Sequence, residues 1–342
     1  MLKVFQALPI CVCVLLVVTL AALCLGRYPL PPGTVAEALW RGIAMTHAPS
    51  DRLNHVIVFA GRLPRILAAI LIGAGLSLSG ASYQSVFRNP LVSPSLLGVL
   101  AGAGFGAALA IELSLPTPMR LVLTFCGGAA AVVFGVAVAR LFGGDHRGVR
   151  DPAILLLVFG GLVSTALFTA LLSIVKFVAD PDNQLPDIVF WLLGSLATVQ
   201  ARTLWSIAPL IAVGCGTLLY LARYLDVLVL SDDEARSLGA PAGRLRLAVI
   251  AAATVTSALT VAIAGTIGWV GLIVPHIARL MVGPMHRRLM PVCACIGAIF
   301  MVIADTLARS LTASEIPLGV ICDLVGVVLF LLVLPRIRKG WL

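Results

Sequence analysis

Charge is what this sequence has least of. Only 11% of its 342 residues are Asp, Glu, Lys or Arg, against roughly a quarter in an ordinary soluble domain. A water-exposed globule is excluded as the bulk of the chain. Several enzyme signatures are missing as well. There is no Gly-x-x-x-x-Gly-Lys-Ser/Thr run, so the usual phosphate-cradling loop is absent. There is no His-Glu-x-x-His, and the five histidines (His47, His55, His146, His276 and His286) are scattered, mostly in loops. Their spacing supports neither a catalytic nor a metal cluster. The eight cysteines lie in apolar runs and form no Cys-x-x-Cys pair; they read as small hydrophobes rather than disulfide or metal partners.

What is present is apolar length. Hydrophobic residues make up 60% of the chain, in continuous rather than alternating runs. In lipid every backbone polar group must pair within its own helix or around a closed barrel, and continuous runs select helices. Ten spans are expected, at about 7–25, 63–82, 91–111, 119–142, 152–175, 203–222, 246–264, 267–283, 291–308 and 316–335. They make an all-α polytopic membrane protein of one domain, 1–342. The first run lacks a clean small-residue cleavage site and reads as a retained helix.

An even number of spans puts both termini on one side. Of the 24 Lys and Arg residues, 15 fall on the side of the termini and nine on the other. The richer side is expected to be cytoplasmic, and the net charge of +9 reads as this bias rather than as a nucleic-acid footprint. Outer loops then cover 27–61, with a short helical run near Val35 to Met45, and 176–202. In the latter, Asp187 to Gln200 is apolar but too short to cross. The most polar segment, 223–246, lies inside. There Ser231 with Glu234 has capping-box spacing, and Gly239 can end the short helix.

The stretch Gly61–Gly106 organises the rest: two arginines around a proline, an apolar span, the punctuation Arg88-Asn89-Pro90, and a glycine-rich return. That is a helical hairpin built for close packing. Intramembrane carboxylates are few. Asp305 stands four residues before Arg309, which favours a local ion pair. Asp323 has no such neighbour, and packing against a partner helix or a wet cavity is expected. Arg62, Arg65 and Arg309, exposed basic residues at the outer ends of spans, would, as a cluster, dock carboxylates of a soluble partner.

Arg62-Leu-Pro-Arg65, Gly80 to Gln84 (GASYQ), Arg88-Asn-Pro-Leu-Val-Ser-Pro94, Gly265 to His276 (GTIGWVGLIVPH) and Glu315-Ile-Pro-Leu-Gly319 resemble the permease subunits of bacterial ABC importers for ferric siderophores, haem and cobalamin. The resemblance runs essentially end to end. It implies a cobalamin-importer-permease-like fold of ten helices, working as a homodimer or heterodimer in the cell inner membrane. It implies two cytoplasmic ATPase subunits, which carry the ATP and Mg, and a periplasmic binding protein; this chain would hold no cofactor or metal and would not be an enzyme. Arg62, Arg65 and Arg309 match the binding-protein docking positions. Ser231 to Arg246 matches the ATPase-coupling loop, with Ser231, Glu234, Ala235, Arg236, Leu238, Gly239 and Pro241 as its residues. The turn after the second span implicates Asn89 and Leu91 in the gate. The segment Asp187 to Leu196, with Trp191 and Gly194, matches the short helix beside the central passage. One departure stands out: the last span reads Gly326-Val327-Val328 after Asp323, without the family's proline. The implied cargo is an iron–siderophore complex, with haem, cobalamin and molybdate as alternatives. A proton-coupled secondary transporter using Asp323 and Asp305 is the rival of another class.

Overall fold

A computed structural model describes residues 2–43, 52–142, 152–230, 232–237 and 239–339. All regular structure among them is helical, the arrangement that lipid demands of a backbone that cannot turn to water. The helices are α1 (Leu2–Cys24), α2 (Pro32–Ile43) and α3 (Arg52–His55), which continues through a π-type segment (Val56–Arg62) into α4 (Leu63–Val86). A 3-10 turn (Pro94–Leu97) precedes α5 (Val99–Glu112). Then come α6 (Thr117–Leu141), α7 (Pro152–Val178), α8 (Gln184–Leu192), α9 (Ala201–Leu228), α10 (Asp232–Ser237), α11 (Ala242–Ala264), α12 (Val270–Val282), α13 (His286–Ser310) and α14 (Leu318–Lys339).

Each expected span contains an apolar helix, but the helices are not equal. Seven are long and apolar enough to cross a membrane, whereas Val99–Glu112, Val270–Val282 and Leu318–Val333 are shorter. The expected starts at 91 and 267 give way to starts at 99 and 270. Before α5, Pro90 and Pro94 lack an N–H, and Gly98 turns left-handed at φ +82°. Before α12, Gly265 and Trp269 both have positive φ (+75° and +63°). A 13-residue helix rises only about 20 Å, less than the roughly 30 Å hydrocarbon core. The irregular backbone that makes up the difference is inside protein: Val92, Leu97 and Ile267 are buried, as non-helical backbone at membrane depth must be.

The middle of the bundle is α4. From Leu76 to Val86 every residue is buried, and the helix packs against α9, α11, α12 and α13. Little of this contact is bulky. A Cβ on Gly73 would overlap the carbonyl of Gly297 in α13, and one on Gly80 would overlap the carbonyl of Gly271 in α12. Without a hydrophobic drive between helices in lipid, close backbone approach and interhelical hydrogen bonds hold them together. Both occur here. Ser77 Oγ lies 3.0 Å from the Cys293 carbonyl, and Tyr83 Oη lies 2.7 Å from Thr254 Oγ1 of α11. The apolar residues left exposed, such as Leu162 and Phe177 of α7 and Leu331 of α14, lie on the outer faces.

Gly80→Val should therefore break the fold, because the overlap is with backbone and exceeds ordinary core overpacking of about 1–3 kcal/mol. Gly216 is the control. It lies on an exposed face of α9 with open space around its would-be Cβ, and Gly216→Ala should be neutral or stabilise by about 0.5–1 kcal/mol. Yield of monodisperse protein and thermal unfolding in detergent measure both. Equal behaviour of the two variants would contradict the close-contact account.

Candidate functional site

Three polar places interrupt the apolar bundle. The first lies where α1 ends and α4 begins. A helix leaves its last four carbonyls without partners, and for α1 every one is accounted for. Ala21 accepts from Leu25 N at 2.9 Å, and Cys24 from Leu30 N at 3.0 Å. Arg62 donates to the carbonyls of Leu23, Cys24 and Tyr28, while Arg309 donates to that of Ala22. Cationic side chains at a helix C-terminus also meet the negative end of its dipole. Beside them Arg65 Nε donates to Asp305 Oδ1 at 2.7 Å, and its Nη1 reaches both oxygens of Glu315 at 3.0 Å.

This corrects the expectation of exposed arginines. Arg62, Arg65 and Arg309 are only 6%, 9% and 7% exposed, and they are engaged within the chain. The local pair of Asp305 with Arg309 exists, at 3.7 Å, but the closer partner of Asp305 is Arg65, 240 residues away. Glu315 completes the cluster, and sequence reasoning gave it no role although it lies in a quoted motif. Three guanidinium groups face two carboxylates, so an excess positive charge remains.

The second place joins three interrupted elements. Gly194, after α8, and Gly265, after α11, both adopt positive φ (+74° and +75°) and lie against each other. A Cβ on Gly265 would overlap the Trp191 carbonyl. Ser195 N donates to Ala264 O at 2.9 Å, and Thr266 Oγ1 donates to Leu192 O. The start of α14 docks on the same strip. Leu318 N donates to Gly194 O at 2.9 Å and Gly319 N to Leu193 O at 3.0 Å, which satisfies N–H groups that a helix start leaves open. Trp191 is half-buried and Gly194 buried; both belong to this junction. Asp323 lies exposed one turn into α14, and Gly268 of the broken segment is beside it.

The third place is at the opposite end of α4. The turn 87–91 leaves Asn89 and Leu91 exposed, with Asn89 Oδ1 accepting from Leu91 N at 2.9 Å. Its flanks are tied down. Arg88, at φ +48°, donates through Nε to the Leu228 carbonyl ending α9 at 3.1 Å. Arg279 Nη1 donates to Gln84 Oε1 at 2.6 Å, and Gln84 Nε2 donates to Leu272 O at 3.2 Å. Gln84 and His276 sit in motifs visible in the sequence. Arg279 falls three residues after His276, the spacing that puts two side chains on one helix face.

The polar elbow between α9 and α11 lies at this same end. It holds α10, with Ala235 buried and Glu234, Gly239 and Pro241 exposed. Gly239 has φ +73°, and Ala240 N donates to Ala235 O at 3.0 Å. That six-to-one bond with a left-handed glycine is a Schellman cap, so the expected glycine stop is present. Arg236 lies within α10. Ser231 and Leu238, expected to take part in the elbow, lie outside the described residues. Among the described residues no group of His, Cys, Asp and Glu is arranged to hold a metal ion.

Residues 14–336 match the FecCD transport family. The chain belongs to that family. It is 38% identical over 330 residues to the molybdate import system permease protein MolB of Haemophilus influenzae, covering 95% of this chain and 94% of that one. It is likewise 38% identical over 312 residues to the cobalamin import system permease protein BtuC of Halobacterium salinarum, covering 90% and 80%. A solved structure described as an inward-facing conformation of a metal-chelate type ABC transporter superposes with a TM-score of 0.84 at 34% identity, over 97% of this chain and 99% of that one. The protein is therefore an ABC importer permease and a multi-pass membrane protein, which accounts for the scarcity of charge.

The buried cluster should be structural in the first instance. Arg65→Ala leaves Asp305, only 1% exposed, with a single distant partner, and should cost about 3–5 kcal/mol. Glu315→Gln, at a more open position, should cost under about 1 kcal/mol. Unfolding in detergent compares them, and equal losses would contradict the assignment of Asp305 as the buried anchor.

Proposed function

We propose that this permease forms, with a second permease chain, the membrane passage of an ATP-driven importer for an iron–siderophore complex. The observation that carries this reading is that the exposed turn 87–91 and the Schellman-capped polar elbow stand together at one end of the bundle. The elbow holds a short polar helix, and its Glu234, Gly239 and Pro241 are exposed. Two ATPase subunits seat on it, with ATP and Mg bound to them. The bias of Lys and Arg puts that end, and both termini, in the cytoplasm. Ten crossings follow if the three shorter helices span with their irregular extensions.

A periplasmic binding protein supplies the affinity and docks at the other end. Docking then works through the excess positive charge of the Arg62, Arg65 and Arg309 cluster, not through three free side chains. Long-range charge complementarity of this kind steers encounter more than it adds affinity. Asn89 and Leu91 act at the inner gate, and the Trp191–Gly194 junction shapes the outer half of the passage.

The cargo is a bulky chelate, carried with its metal already enclosed. A second reading, molybdate, is favoured by the 38% identity to the MolB permease. Asp323 counts against it. Its exposed carboxylate, beside Gly268 of the broken segment, would repel a doubly charged oxyanion brought near it. Haem and cobalamin remain within the same chemical range as the siderophore. The proton-coupled alternative loses one of its two carboxylates, because Asp305 is bound by Arg65.

Proteoliposomes holding the permease and its ATPase, supplied with binding protein, decide between these. ⁵⁵Fe-ferric hydroxamate should enter with ATP and stay out without it, whereas ⁹⁹Mo-molybdate should enter weakly. Uptake that needs no ATP and collapses with a proton uncoupler would sink the importer reading. In the same system Gly239→Val, which forces a β-branched residue into the left-handed region, should abolish uptake while the permease stays in the membrane.

A further inference from the structure

Three side chains from three helices meet beside the elbow. Asp226 lies in the last turn of α9, Ser85 in the last turn of α4, and His286 is the first residue of α13. Asp226 Oδ1 accepts from the backbone N–H of His286 at 3.1 Å and pairs with its Nδ1 at 2.6 Å. The other ring nitrogen, Nε2, lies 2.5 Å from Ser85 Oγ, which is also 2.8 Å from the Ala81 carbonyl. Ser85 and His286 are buried, while the Asp226 side chain is 44% exposed.

Counting protons shows that this chain closes by itself. An ionised carboxylate only accepts, so Nδ1 carries a proton. The hydroxyl has one proton to give. It goes to Nε2 when the ring is neutral and to the Ala81 carbonyl when both nitrogens are protonated. Either way no link is broken. The order Ser–His–Asp is that of a hydrolase triad, but its other requirements are missing. Ser85 sits within a helix whose N–H groups are consumed by the helix, and its hydroxyl is buried, so neither an oxyanion site nor room for an acyl group exists.

The position suggests mechanics instead. α9 runs directly into the elbow, and α4 runs directly into the turn that carries Asn89 and Leu91. Apolar helix faces can slide past each other at little cost, whereas hydrogen bonds hold one register. Two ties join these helix ends: the Asp226–His286–Ser85 chain and Arg88 on the Leu228 carbonyl. They bracket the start of the turn, one on each side of Phe87. We propose that Asp226, His286 and Ser85 are positioning residues, a strut that carries movement of the elbow into the gate turn. The inference rests on the importer reading above.

The test is cargo moved per ATP hydrolysed, in proteoliposomes of the full permease–ATPase complex with binding protein. The probes are ⁵⁵Fe-ferric hydroxamate, haem and ⁹⁹Mo-molybdate. Asp226→Ala should leave ATP hydrolysis within about twofold of wild type while the ratio falls about tenfold. Asp226→Asn keeps an acceptor oxygen for both His286 donors and should restore the ratio to within about threefold. Ser85→Ala should resemble Asp226→Ala, and the double variant should be no worse than either alone, as for residues acting as one unit. An unchanged ratio in Asp226→Ala overturns the strut and leaves the importer standing. So does a parallel fall of uptake, hydrolysis and melting temperature, since a purely structural role gives that pattern. Absence of ATP-driven uptake of all three probes by the wild type overturns the importer reading and the strut together.

Discussion

Backbone touching backbone at α4 is the constraint on which the remaining structure depends. Gly73 against Gly297 and Gly80 against Gly271 bring three helices closer than any side chain would allow. Because lipid tails are as apolar as leucine, burial alone cannot hold helices together in a membrane. Dispersion at short range, with a few hydrogen bonds such as Tyr83 to Thr254, must do it. That closeness fixes where the two ends of α4 lie, and both polar ends of the molecule are built on them.

At one end the charges are used to finish helices. Arg62 and Arg309 close the carbonyls of α1, and Arg65 neutralises Asp305. An arginine is suited to this, since its planar fork can serve several acceptors at once. The same cluster retains a surplus of positive charge, so the docking role proposed for it would not compete with its architectural one for the same atoms. At the other end Arg88 ties the turn 87–91 to α9, and Arg279 of α12 holds Gln84 of α4 just before it, close to the Schellman-capped elbow. Between the two ends, the junction of α8, residues 265–269 and α14 shows how a membrane protein tolerates broken helices. The carbonyls of Ala264, Gly194 and Leu193, freed by the breaks, accept from Ser195, Leu318 and Gly319.

Much of this was legible in the sequence. The scarcity of charge selected a membrane protein, the continuous runs selected helices, and the motifs led to an importer permease, as the family match bears out. Gly239 announced the end of α10. Local chemistry sufficed in each case: a glycine where φ must be positive, a proline where an N–H must be missing, an apolar run of bilayer length.

What the sequence could not determine was who meets whom. The periodicity of α13 paired Asp305 with Arg309, four residues on, yet the fold gives its closest contact to Arg65, which no spacing connects to it. Glu315, Gln84 and Arg279 acquired roles only when distant helix ends were brought side by side. The arginines read as exposed because they stood at the ends of spans; they proved buried because another helix stops at the same depth and needs its carbonyls satisfied. One-dimensional pattern records the solvent a segment must live in, and lipid makes that record unusually clear. Which ionic groups neutralise one another depends on three-dimensional proximity, and that was decided by the glycine contacts of α4 and by the places where its neighbours begin and end.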